Sequence, residues 1–99
     1  MDEKTREIAI DICDGNPGAI NVLIALWSMG GGHLIERLKA MGIRGPRIYL
    51  LGSPKDGGIN MASHTALHGF EAYLDGIAAG DFPSRLNKRE WEYYAEKKA

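Results

Sequence analysis

Apolar positions along the chain recur mainly at helical spacing. Between Thr5 and Cys13, Ile8 and Ile12 lie four apart on one face, and Gly15 can end the helix they predict. Asn16-Pro17 reads as the next start, with Asn at the N-cap and Pro at the first helical position. The helix so opened runs to about Met29. Ala19, Ile20, Val22, Leu23, Ile24, Ala25, Leu26 and Trp27 leave it no wide polar face. Such a helix must be covered on nearly all sides, which predicts a central position shared with a second copy of the chain. Gly30-Gly31-Gly32 interrupts the pattern. His33 to Met41 resumes it, with Leu34, Ile35, Leu38 and Met41 in phase and Gly42 at the end.

The period then changes. Gly45-Pro46 is a turn, and Arg47-Ile48-Tyr49-Leu50-Leu51 reads as the one strand. A lone strand leaves its backbone groups unpaired, so it is expected to pair with another segment or with the same strand of a neighbour. Gly52 to Gly58 is a loop. Asn60 to Ala79 predicts a fourth helix, with Ala66, Leu67, Phe70, Tyr73, Leu74 and Ile77 on one stripe. His64, His68, Glu71 and Asp75 fall on a narrow strip away from it. After a break at Gly80-Asp81-Phe82-Pro83, Asn87 and Glu90 resemble a capping box opening a last helix with Trp91, Tyr94 and Ala95 inward. The expected fold is mostly α with one short strand or hairpin: a single domain (residues 1–99) of four to five helices.

Composition narrows the class. At 99 residues, 44% apolar and 25% charged, the chain is the size of one ordinary domain, and wholesale disorder is excluded. A core this small gains from oligomerisation. The single cysteine, Cys13, excludes an internal disulfide framework and fits a reducing, cytoplasmic setting. The N-terminus lacks the pattern of a secretory signal. The most apolar run, Ala19 to Met29, would rise only about 16 Å as a helix, too short for a bilayer. A net charge of −1 argues against binding nucleic-acid polymers.

That net charge hides an asymmetry. Residues 1–36 hold six acids and two bases, whereas residues 37–55 hold Arg37, Lys39, Arg44, Arg47 and Lys55 and no acid. Glycine-rich bends run through this basic block. Glycine lets a ligand approach the backbone closely, and arginine offers a planar fork to phosphate or carboxylate. The bends Gly15–Gly18 and Gly30–His33 precede helix starts, where free N–H groups suit an anion. The competing reading is that Arg37 and Lys39 coat a solvated face while Arg44 and Arg47 pair with acids elsewhere.

Three motifs fail as catalytic signatures. Gly52-Ser53-Pro54-Lys55-Asp56-Gly57-Gly58 has two glycines separated by four residues. Gly58 stands where a phosphate loop needs lysine, and no hydroxyl follows. His64-Thr65-Ala66-Leu67-His68 has zinc-protease spacing, but Thr65 replaces the general base. Cys13 could be matched with His33, His64 or His68 as nucleophile and base, yet its place beside Ile12 is that of a core cysteine. Trp27 and Tyr49 are either core or ring-stacking residues. Asn21, polar within an apolar helix, is a buried hydrogen-bonded residue, a contact between copies, or a ligand contact.

Asp14-Gly15-Asn16-Pro17-Gly18-Ala19, the apolar helix that follows, and Met41-Gly42-Ile43-Arg44-Gly45-Pro46-Arg47-Ile48 resemble a group of small bacterial and phage proteins with the same helix opening and Gly-Pro turn. The resemblance covers roughly residues 14–52 and implies a compact, mostly helical fold without an assigned activity. In size and style the chain also looks like the short phage sponge proteins that sequester nucleotide immune signals, which implies a small, oligomeric, non-enzymatic binder.

The leading expectation is therefore a homo-oligomer that sequesters a small anionic, nucleotide-derived ligand without cofactor or metal. Asn16, Gly18, Trp27, Arg44, Arg47, Tyr49 and Lys55 would form the site, with His64 and His68 as further ligand contacts. The alternatives are a structural or protein-interaction module, and a metal-dependent enzyme using His64, His68 and Glu71.

Overall fold

A computed structural model describes residues 1–56 and 58–80, and these form five α-helices with no strand among them. The expected last helix over residues 87–95 lies outside the described residues. Helix α1 spans Glu3–Cys13, α2 Pro17–Ser28, α3 Gly32–Ala40, α4 Pro46–Leu51 and α5 Ala66–Ala78, with a short 3-10 turn at Pro54–Asp56.

The helix starts follow local chemistry. The Asp2 carboxylate accepts hydrogen bonds from the Thr5 N–H at 2.8 Å and the Thr5 hydroxyl at 3.1 Å, closing the first turn of α1. The turn after α1 is left-handed at both Asp14 and Gly15. The Asn16 side chain then accepts from the Ala19 N–H at 3.0 Å, with Pro17 in the first turn, as expected from the sequence.

The core gathers Ala9 and Ile12 from α1, Leu23 and Leu26 from α2, Leu34, Ile35 and Leu38 from α3, Ile48 and Leu51 from α4, and Phe70, Tyr73 and Leu74 from α5. Helix α2 packs against α1, α3 and α4. It buries Ala19, Val22, Leu23 and Leu26 but leaves Ile24 49% and Trp27 38% exposed, so one side of this apolar helix is open. Helices α3 and α5 run in the same direction, because His33 pairs with Glu71 at 3.7 Å and Arg37 with Asp75 at 2.7 Å, four residues on along each helix.

Two expectations are corrected. Residues 47–51 are helical rather than extended. Pro46 supplies a preset helical φ at the start of α4, and Gly45 turns the chain into it at φ 50°, a region that favours glycine. Ile48 N–H donates to Gly45 O at 3.0 Å and Gly52 N–H to Ile48 O at 3.2 Å, so the backbone is satisfied locally and needs no neighbouring strand. A short apolar run has no periodicity long enough to separate strand from buried helix.

The helix expected from Asn60 begins only at Ala66. Asn60 Oδ1 accepts from the Ala62 N–H at 3.0 Å, and Ser63 Oγ accepts from the Thr65 N–H at 3.2 Å. These side chains hold the backbone in turns in place of a helical ladder. His64 therefore lies in the turn before α5, while His68 lies on α5.

Candidate functional site

Helices α2 and α4 approach closely because a glycine stands on each side of the contact, Gly18 in α2 and Gly52 just past the end of α4. A Cβ on Gly18 would overlap the Tyr49 ring, and one on Gly52 would overlap the Val22 side chain. Beside this crossing is a shallow groove of about 210 Å³, lined by Gly18, Asn21, Val22, Tyr49, Gly52 and Met61. Asn21, the one lining residue with an amide side chain, is exposed. The groove's aromatic wall is Tyr49, whose side chain is 43% exposed. An exposed ring beside an amide can stack on a planar group and hydrogen-bond to its edge.

Of the expected site residues, the groove brings together Gly18 and Tyr49. Asn16 stands at the start of α2, with its side-chain oxygen engaged in the cap. Trp27 is nine residues along α2 from Gly18, about 13 Å up the axis, outside the groove. Arg47 is buried, and its guanidinium donates to Gly42 O at 3.4 Å. Lys55 is exposed on the 3-10 turn, three residues beyond Gly52, and forms no ion pair among the described residues. His64 and His68 are exposed on different elements, and neither lines the groove. No group of three or more metal-ligating side chains comes together among the described residues.

Arg44 joins α1 to the turn before α4. Its Nε donates to both Asp14 carboxylate oxygens, at 3.1 and 3.2 Å. One terminal nitrogen donates to Asp14 Oδ1 at 2.7 Å, Asp11 Oδ1 at 2.9 Å and the Asp11 carbonyl at 2.6 Å. Lys39 meets the other Asp11 oxygen at 3.3 Å. Two cations thus balance two carboxylates, and Arg37 is held by Asp75, so Arg37, Lys39 and Arg44 of the basic block are neutralised within the chain.

Hydrogen bonds from Arg44 hold the Asp14 carboxyl below the usual carboxylate range, and those from Arg44 and then Lys39 do the same for Asp11. Asp14 and Asp11 in turn push the Arg44 guanidinium up. Because the folded carboxylates are the stronger acids, the clamp stabilises the protein above their ordinary pKa near 4. That contribution disappears as pH falls through their lowered folded values. Thermal melts from pH 7 to pH 2 should therefore show Arg44→Gln less stable than the parent at pH 7, with the gap closing below about pH 4. A gap constant across that range would contradict the clamp.

The sequence pointed to Gly18, Tyr49 and Asn21 through glycine placement, aromatic character and polarity. It carried no signal for Met61 or Val22 as lining residues, since both read as ordinary apolar positions. No helix among the described residues is long and apolar enough to cross a membrane. No family model matches the chain, and no curated protein or solved structure matches it.

Proposed function

We propose that the protein is a non-catalytic binding module, a homo-oligomer whose α2–α4 groove takes the ring of a small anionic, nucleotide-derived ligand. The observation that supports this reading most is that exposed Tyr49 and Asn21 line the same recess. At about 210 Å³ the recess is smaller than the roughly 300 Å³ at which drug-sized pockets begin, so it suits one ring and leaves the rest of the ligand outside. Lys55, on the segment leaving the groove, supplies positive charge to the anionic part. Arg44 is excluded from that role by its two aspartates. Such a module acts by sequestration, in the manner of the sponge proteins that the chain resembles in size and style, within a reducing cell interior and without a nucleic-acid polymer or membrane as partner.

The test is an NMR titration with cyclic dinucleotides and ADP-ribose derivatives. The amides of Gly18, Asn21, Tyr49 and Gly52 should shift with at least one of them. Tyr49→Ala should weaken that ligand about 5- to 150-fold, in line with base–aromatic stacking of about 1–3 kcal/mol. Arg44→Gln should leave its affinity within ~2-fold, since a guanidinium already held by two carboxylates has little to offer an anion. If no amide of the groove moves at ~1 mM of any member, the reading is wrong.

One observation favours the second reading, a protein-interaction module. The exposed side of α2 carries Ile24 and Trp27 and no charge, as a contact surface for another protein would.

A further inference from the structure

We propose that a second copy of the chain covers the open side of α2, with the two α2 helices antiparallel about a two-fold axis at Ile24. The inference rests on the homo-oligomer part of the reading above and says how the copies meet. At 100° per residue, Ile20, Asn21, Ile24, Trp27 and Ser28 share a stripe about 120° wide. Ile24 lies on its midline, Ile20 and Trp27 along one edge, and Asn21 and Ser28 along the other. Asn21, Ile24, Trp27 and Ser28 are exposed, and Ile20 is half-buried.

The direction follows from which edges meet. An antiparallel two-fold pairs each edge with the same edge of the other helix. Ile20 then packs on Trp27 of the second copy, Asn21 faces Ser28 of the second copy, and Ile24 meets its own equivalent. The Ser28 hydroxyl already donates to Ile24 O at 2.9 Å, so its oxygen can accept from the Asn21 amide across the seam. A parallel two-fold pairs opposite edges, setting Ile20 against Asn21 and Trp27 against Ser28, apolar on polar in both cases.

Charge agrees with self-pairing. Helix α2 carries no Asp, Glu, Lys or Arg, so a symmetric contact along it brings no like charges together. Antiparallel helices also set opposite dipole ends side by side. Twelve residues make a seam about 18 Å long and, at a helix diameter of about 10 Å, a contact of only about 200 Å² on each copy, well short of the roughly 1,200 Å² in total that stable interfaces bury, so the dimer is weak, with a dissociation constant of micromolar or above. Asn21 belongs to both the seam and the groove, so the second copy reaches the rim of the ligand site.

Sedimentation velocity of the full chain from ~10 µM to ~1 mM should show a monomer–dimer equilibrium. Ile24→Glu sets two carboxylates face to face at the axis and should weaken association at least ~10-fold, with the circular dichroism melt retained because the side chain is half exposed. Asn21→Glu and Ser28→Lys should each weaken it, and the double variant should restore it. The restored pair must form between copies, because positions seven apart on one helix are about 10 Å from each other. A single-chain mass at ~1 mM overturns the proposal, and so does a dimer indifferent to Ile24→Glu or a double variant no stronger than the singles. Groove titration of the Ile24→Glu monomer separates the two readings. Ligand shifts there support the groove whatever the dimer does, and a rescued dimer without ligand shifts removes the groove alone.

Discussion

Phe70→Ala should lower the unfolding free energy by about 3–5 kcal/mol, the usual cost of deleting a fully buried ring. Phe70 sits on the inner stripe of α5 with Tyr73 and Leu74, and all three are wholly inaccessible. The ion pairs that tie α5 to α3 are partly exposed, and such pairs contribute about 0–1 kcal/mol each. Apolar burial must therefore hold α5 in place. Against the roughly 5–15 kcal/mol that keeps a domain folded, this one change removes a large share. Urea denaturation should show a much lower midpoint with an unchanged slope. A loss under about 1 kcal/mol would mean that α5 is not packed on the core.

Gly58→Ala should be the most damaging of the single-methyl additions. The chain returns over the end of α4 here: Gly58 N–H donates to Ser53 O at 2.8 Å and Ile59 N–H to Leu51 O at 2.7 Å, placing Ile59 in the core. A Cβ on Gly58 would overlap the Leu50 carbonyl oxygen and lie 2.6 Å from that of Leu51. Backbone carbonyls cannot swing aside as a side chain can. The expected loss is about 1–3 kcal/mol from overpacking. It exceeds that if the Ile59 hydrogen bond breaks, since a buried unpaired amide has its own cost. Gly32→Ala is the contrast. Its Cβ would make only an ordinary 3.5 Å contact with the Trp27 ring, in a helix that alanine favours. Thermal melts of the pair should separate clearly, with Gly32→Ala at or above the parent. Equal melts would mean that the return over α4 is loose.

Helix existence was legible wherever the apolar period ran long or a cap was written locally. The start of α2 and the span of α3 belong to this class, whereas α1, expected from Thr5, begins two residues earlier at Glu3 with Asp2 as its cap. The buried stripe of α5 did too, through Ala66, Phe70, Tyr73 and Leu74. The candidate site was legible only in part. Tyr49 and Gly18 stood out one at a time, but nothing local tied them to each other, because their contact is made across a helix crossing.

Arg44 shows the same divide. Its clustering with four other cations was visible, but the partners that neutralise it lie 30 and 33 residues earlier, at Asp14 and Asp11. Charge counted by window measures density along the chain, whereas a binding surface depends on charge left over after folding.

By itself the sequence determined that this chain builds helices around one uncharged helix, α2, because periodicity, caps and breakers act over a few residues. Tertiary structure alone decided that Arg44 clamps α1 in place of meeting a ligand and that Tyr49 opens onto a groove. Each of those outcomes depends on groups far apart in the chain being brought within a few ångströms, where packing and pairing outweigh local preference.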